Sequence, residues 1–300
     1  MDHVLSVDQF DRSALEDLFK RTDTMRELVK KDGGDERLAH HVSANLFYET
    51  STRTNSSFTA AMYRLGGGVI NITDVERTSV AKGESLEDTV RMLAGYADAI
   101  VIRHPEVGAT KRAAAVSSVP IINGGEGVGE HPTQSLLDLY TIYQEKGTID
   151  GLTITLLGDL KYGRTPHSLA KILNNFDVSL NFVSPASLAF PDDLQVLIKN
   201  KVFVSTSLDD VLPESDVIYA TRIQKERIDN PAKYEQIGDS YHVTKETLSK
   251  MKQDAIVMHP LPRVDEITTD VDSDPRAAYF RQAENGLYIR MALFDMLIKR

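Results

Sequence analysis

The chain has 300 residues, 41% hydrophobic and 26% charged, with a formal net charge of −10; the length suits two domains of ordinary size, and the acidic balance argues against a nucleic-acid partner. There is no cysteine, which excludes disulfides, thiolate nucleophiles, iron–sulfur clusters and cysteine-ligated zinc. No apolar run approaches the roughly 18 to 20 residues of a membrane span, and the opening MDHVLSVDQFDR lacks the apolar core of a signal peptide, so a cytoplasmic protein with no membrane partner is expected.

The first predicted helix starts at Asp11 as N-cap and runs through Leu15, Leu18 and Met25 to the break at Asp32-Gly33-Gly34. Residues 46–58, LFYETSTRTNSSF, read as a buried strand that stops abruptly, the polar run Ser51, Thr52, Arg53 and Thr54, and then a helix. Phe58, Ala61, Met62 and Leu65 stand at i, i+3, i+4 and i+7 and so share one apolar face. The polar run therefore sits at a helix N-terminus, where unpaired N–H groups and the positive end of the dipole favour an anion. Three hydroxyls around Arg53 suit a tetrahedral, multi-oxygen group such as phosphate. Ser and Thr are also ordinary N-caps and a first-turn Arg is common, so by itself the run fits a cap equally well. Gly66-Gly67-Gly68 and the strand GVINI follow; without G-x-G-x-x-G after a strand, these glycines read as a turn.

Residues 78–83 form a polar loop carrying Ser79 and Lys82, ahead of a helical stripe at Val90, Leu93, Ala94 and Ala97. The strand AIVI then ends at Arg103-His104-Pro105. Ligands of parallel α/β sheets bind at the carboxyl ends of strands, so Arg103 and the Ser51 run face the same crevice, which capping explains less well. The strand VPIIN leads through NGGEGVGE to His131-Pro132-Thr133-Gln134, the start of a helix marked by Leu136, Leu139, Tyr140 and Tyr143. A lone histidine is more often structural; with Gln134 one turn away and two polar strand ends beside it, a functional role gains weight.

Near Gly147 the pattern restarts. LTITLLGD has the composition of a strand buried in a parallel sheet, and further strands are predicted at VSLNFVSP, KVFVST, DVIYATR and DAIVMHP. The fold class expected is α/β, with two doubly wound parallel-sheet domains of similar size. Strand ends again carry polar groups: Arg164 in GDLKYGRT, Arg222 and Gln224 in DVIYATRIQ, and His259-Pro260-Leu261-Pro262-Arg263. The two prolines fix an extended backbone whose carbonyls, at Leu261 and Pro262, are available to an amine or amide donor, although a rigid turn explains them as well. GDLKYGRT also matches G-x-x-x-x-G-K-[ST] except that Arg164 replaces the lysine that reaches the terminal phosphates, which disfavours a nucleotide triphosphatase. Of eight histidines only His40 and His41 are adjacent and H-E-x-x-H is absent, so no metal and no cofactor is expected.

STRT, RHP, HPTQ, GDLKYGRT and HPLPR, in this order over most of the chain, resemble the catalytic chains of the aspartate transcarbamoylase family. The resemblance covers roughly residues 4–300. It implies transfer of a carbamoyl group from carbamoyl phosphate to the amine of L-aspartate in pyrimidine synthesis. It further implies that Ser51, Thr52, Arg53, Thr54 and Arg103 hold the phosphate, and that Thr54, Arg103 and His131 face the carbonyl oxygen. Gln134 and the carbonyls of Leu261 and Pro262 orient the carbamoyl nitrogen, and Arg164, Arg222 and Gln224 bind the aspartate carboxylates. Ser79 and Lys82 match residues contributed by a neighbouring subunit, which implies a homotrimer with shared sites; Lys82 counts with Arg53, Thr54, Arg103 and His131 among the catalytic set. His167 and Arg263 are given supporting roles at most. The expected layout is a carbamoyl phosphate-binding domain at 1–147, an aspartate-binding domain at 148–284, and a C-terminal helix at 285–300 returning to the first domain.

Asn55 stands where many relatives carry a second Arg after STRT, making the phosphate side slightly less cationic. Nothing resembles the zinc-bearing regulatory chain of some members, and a regulatory partner or a larger multienzyme polypeptide is left open. Ornithine transcarbamoylase, the nearest rival, is expected to carry a cysteine beside the Leu-Pro pair, where this chain has Pro260; Arg164, Arg222 and Arg263 also suit a dianion better. An inactive relative would be expected to have lost some of Arg53, Lys82, Arg103 or His131, and all four are present.

Overall fold

A computed structural model of the chain describes residues 1–73, 79–223 and 241–298, and of Ser79 the backbone alone. It divides into two compact units, Met1–Leu137 with Glu284–Arg300, and Asp138–Ala283. Each is an α/β unit around its own parallel sheet, as the run of strand and helix patterns predicts.

The first unit's strands are β1 (Val42–Phe47), β2 (Gly68–Ile72), β3 (Ala99–His104) and β4 (Ile121–Glu126), all parallel, in the order β2-β1-β3-β4. β3 buries Ala99, Ile100, Val101 and Ile102 completely, the signature of a strand covered on both faces. Its helices are α1 (Arg12–Asp32), α2 (Thr52–Arg64), α3 (Leu86–Ala94) and α4 (Ala109–Val116). α1 begins where Asp11 accepts from the Ala14 N–H and ends at Gly33, whose φ of +81° needs a residue without Cβ. The stripe Phe58, Ala61, Met62 and Leu65 on α2 is buried as its spacing requires. Val4 adds a parallel bridge to Ile122 on the outer side of β4, an edge extension for which the sequence carries no signal.

The second unit's strands are β5 (Thr153–Leu157), β6 (Ser179–Val183), β7 (Lys201–Ser205), β8 (Val217–Ala220) and β9 (Ile256–Met258), again all parallel, in the order β7-β6-β5-β8-β9. They match the runs predicted from β-branched and leucine-rich composition. A helix α5 (Pro132–Lys146) runs from the first unit into the second; α6 (Arg164–Ile172) and α7 (Asp192–Gln195) follow β5 and β6.

The C-terminal helix, Tyr279–Leu297, runs back into the first unit and packs on it. There Phe294 meets Phe58 of α2 edge to face at 5.6 Å, and the Arg290 guanidinium carbon lies 4.9 Å from the centre of the Phe58 ring. Both rings are fully buried.

In both sheets the strand order reverses once: between β1 and β3, and between β5 and β8. These switch points leave a crevice at the strand carboxyl ends, the usual ligand position in open α/β sheets.

Candidate active site

At the first switch point β1 and β3 pair so that Phe47 stands opposite Arg103, and the Tyr48 N–H donates to the Arg103 carbonyl at 2.8 Å. The polar run after β1 and the cation ending β3 are thereby brought side by side. Ser51 is the N-cap of α2, yet its hydroxyl makes no capping bond. The cap reading of that residue is therefore not the one the geometry uses. Thr54 is buried in the first turn, while Thr52 and Arg53 are exposed. Crowding by neighbouring atoms lowers the pKa of the Arg53 guanidinium below its ordinary value, with desolvation as the cause.

Arg103 is mostly buried. Its Nη1 donates to the Gly124 carbonyl at 3.2 Å, and its Nε lies 3.5 Å from Glu49 Oε2. His131, immediately before α5, is 5% exposed and its carbonyl accepts the Gln134 N–H at 3.0 Å. A Cβ placed on Gly125 would lie 2.9 Å from Arg103 Nη1 and 3.2 Å from His131 Cδ2. Arg103 and His131 thus flank one point of backbone, these two atoms no more than about 6 Å apart. The φ of Gly125, +112°, is itself a conformation L side chains avoid. Asn123 holds that turn, accepting the Gly125 N–H at 2.8 Å and donating to the Leu5 carbonyl at 3.0 Å.

Lys82 ends the short 3-10 turn Ser79–Lys82; it is exposed and makes no hydrogen bond or ion pair among the described residues. It is not joined to the Arg103–His131 cluster by any such contact.

In the second unit, Leu157 of β5 pairs with Ala220 of β8, and a Cβ on Gly158 would come within 2.3 Å of the Thr221 carbonyl oxygen. Only glycine, here at φ +113°, lets the two strand ends approach so closely. Arg164, first residue of α6, and Arg222, just past Thr221, are each half-buried on the two sides of this switch point. Gln224 lies outside the described residues, as does the side chain of Ser79. His167 donates from Nε2 to the Leu160 carbonyl at 2.7 Å and lies edge-on to Phe190, and burial lowers its pKa. Arg263 is held by Asp272 and Tyr279.

Beyond β9, Leu261 takes a φ of +56° and donates its N–H to His259 Nδ1 at 2.8 Å. His259 Nε2 donates to Glu266 Oε1 at 2.7 Å, and Glu266 Oε2 accepts the N–H groups of Val264 and Asp265 at 3.0 and 3.1 Å. Burial alone would raise the Glu266 carboxyl; the His259 bond and the backbone donors outweigh it and hold the group down at about 2.

Two domain families match this chain: the aspartate/ornithine carbamoyltransferase carbamoyl-P binding domain over residues 2–144, and the aspartate/ornithine carbamoyltransferase Asp/Orn binding domain over residues 150–297. The chain belongs to the aspartate/ornithine carbamoyltransferase family.

Within that family it is 52% identical over 298 residues to multifunctional protein pyr1-3 of Dictyostelium discoideum, covering 98% of this chain but 13% of that protein. It is 49% identical over 297 residues to the aspartate carbamoyltransferase catalytic subunit of Thermoplasma acidophilum, covering 98% of this chain and 97% of that one. A crystal structure of aspartate transcarbamoylase from Trypanosoma cruzi in complex with carbamoyl phosphate and aspartate superposes with a TM-score of 0.94 at 41% identity, covering 99% and 97% of the two chains. The resemblance carried by the five motifs is borne out.

Sequence reasoning passed over Gly125, Asn123, Glu49 and the His259–Glu266 pair. The glycine-rich run before HPTQ was the one available signal: consecutive glycines at the end of a strand mark a place where side chains from elsewhere need the room.

Proposed function

We propose that the chain transfers the carbamoyl group of carbamoyl phosphate to the amine of L-aspartate, giving N-carbamoyl-L-aspartate and phosphate, in pyrimidine biosynthesis. The observation that carries the reading is the convergence, at one switch point, of the Ser51–Thr54 helix start, Arg103 and His131, with Arg103 and His131 both against Gly125. A helix N-terminus with two guanidinium groups beside it is suited to a phosphate dianion.

In this reading the amine nitrogen of aspartate attacks the carbonyl carbon, forming the new C–N bond, and the C–O bond to phosphate breaks. Thr54, Arg103 and His131 donate to the carbonyl oxygen as its charge grows; removing one such preorganised donor costs about 10² to 10³ in rate. The departing phosphate takes the proton the amine loses, so no dedicated general base is required. Holding the two reactants in register supplies about 7 to 11 kcal/mol. Ser51, Thr52 and Arg53 hold the phosphate, Gln134 and the carbonyls of Leu261 and Pro262 orient the carbamoyl nitrogen, and Arg164, Arg222 and Gln224 bind the aspartate carboxylates. The functional layout is carbamoyl phosphate binding at 1–147, aspartate binding at 148–284 and a returning helix at 285–300.

The reading includes a homotrimer in which Ser79 and Lys82 complete a neighbour's site; the exposure of Lys82 supports it. Among the described residues no helix is long and apolar enough to cross a membrane, which supports a cytoplasmic setting. Relatives carrying the names multifunctional protein and catalytic subunit support either a larger polypeptide or a regulatory chain as context.

The test is product formation from carbamoyl phosphate with L-aspartate and, separately, L-ornithine. Carbamoylated aspartate alone is expected. Product from ornithine alone would overturn the assignment of Arg164 and Arg222, and product from neither would overturn the reading as a whole.

A further inference from the structure

The segment after β9 has to present two carbonyls, at Leu261 and Pro262, from a backbone that a helix or ladder does not organise. Leu261 sits at φ +56°, which a leucine does not adopt without support. The support is a buried pair that touches neither carbonyl. His259, 1% exposed, accepts the Leu261 N–H at Nδ1. An accepting Nδ1 requires the proton on Nε2, and that proton points at Glu266 Oε1, 2.7 Å away. Glu266, 4% exposed, uses its other oxygen for the N–H groups of Val264 and Asp265. One peptide plane is therefore fixed on entry to Leu261 and two are fixed past Arg263, so the intervening carbonyls are held between anchored points. The pair is itself braced: the His259 N–H donates to Gln282 Oε1 at 2.8 Å, Gln282 Nε2 donates to Asp138 Oδ1 at 2.6 Å, and the Tyr219 hydroxyl donates to Asp138 Oδ2 at 2.7 Å. All five residues of this chain of contacts lie in the second unit.

We propose that His259, locked in one tautomer by Glu266, is a positioning residue for the carbamoyl nitrogen, acting through the carbonyls of Leu261 and Pro262. The inference rests on the reading of those two carbonyls as acceptors for the carbamoyl NH2. A glutamine at 266 keeps an acceptor for His259 but offers an NH2 where Val264 and Asp265 need an oxygen. An asparagine at 259 keeps an acceptor for Leu261 but cannot reach Glu266.

Acetyl phosphate provides the discriminating probe, because it replaces the carbamoyl NH2 by a methyl group and leaves the phosphate and carbonyl in place. Dissociation constants for carbamoyl phosphate and acetyl phosphate are measured by calorimetry on the full chain, with kcat and KM for carbamoyl phosphate beside them. The wild-type chain is expected to prefer carbamoyl phosphate by tenfold or more. Glu266→Gln is expected to shrink that preference to about twofold or less and to lower kcat by about 10- to 100-fold, since misplacement by about 1 Å carries such a loss. A role confined to stability would weaken both ligands equally and keep the ratio. Should Glu266→Gln not fold, as judged by its melting curve, His259→Asn makes the same comparison. A wild-type chain that does not discriminate overturns the reading of the carbonyls; a discriminating wild type with variants that discriminate as well overturns the role of His259 and Glu266.

Discussion

Replacing Gly125 by alanine tests whether Arg103 and His131 work from the positions described. The new methyl would enter at a φ of +112°, which costs an L residue about 1 to 3 kcal/mol. It would also stand 2.9 Å from Arg103 Nη1 and 3.2 Å from His131 Cδ2, where ordinary contact begins at 3.4 Å. Both side chains must retreat by several tenths of an ångström, and a shift of about 1 Å at a reacting centre lowers the rate about 10²-fold. For about half that displacement we expect kcat/KM with carbamoyl phosphate and L-aspartate to fall about tenfold or more, equivalent to about 1.4 kcal/mol of transition-state stabilisation. The control is Gly151→Ala: φ is +83° there, but a Cβ meets nothing within 4 Å. That variant should lose about 1 to 2 kcal/mol of stability and keep its activity. Both are assayed for carbamoylated aspartate at a temperature where melting curves show them folded. Activity of Gly125→Ala within about threefold of wild type would refute the placement of Arg103 and His131 as the reaction's electrostatic pair.

Phe294→Ala removes a fully buried ring that meets Phe58 at 5.6 Å, and should cost about 3 to 5 kcal/mol in a urea titration; a loss below about 1 kcal/mol would mean the C-terminal helix contributes little to the first unit. Glu266 titrates at about 2 in the folded chain and near 4.5 when unfolded, so its contribution, at most about 3 kcal/mol, is complete above about pH 5 and is lost as pH falls toward 2. Stability curves of wild type and Glu266→Gln should therefore converge between pH 5 and 2; a gap that stayed constant would show that the carboxylate is not held down in the folded state.

Much of this architecture was legible because it rests on periodicity. The stripe at Phe58, Ala61, Met62 and Leu65 and the runs AIVI and LTITLLGD could bury their apolar atoms in one way only, and the structure buries them so. Polar residues placed abruptly after such runs, Ser51 to Thr54, Arg103 and Arg222, were readable because parallel strands deliver their carboxyl ends to one edge. The groups that hold those residues were not readable. Asn123 anchors Gly125 through Leu5, more than a hundred positions away, and Glu266 reaches back to His259 across a loop. Neither contact belongs to a repeat of 2 or 3.6 residues, and a lone Asn or Glu in sequence is indistinguishable from a solvated one.

The first unit is assembled from two stretches separated by the whole of Asp138–Ala283. At about 5 to 20 residues per second, a ribosome needs on the order of ten seconds to make that intervening stretch. Throughout that interval Phe58 has no Phe294 to pack against. The unit begun first is completed last, and nascent chains paused before Glu284 would hold a first sheet whose α2 still shows an apolar face, the kind of surface chaperones engage.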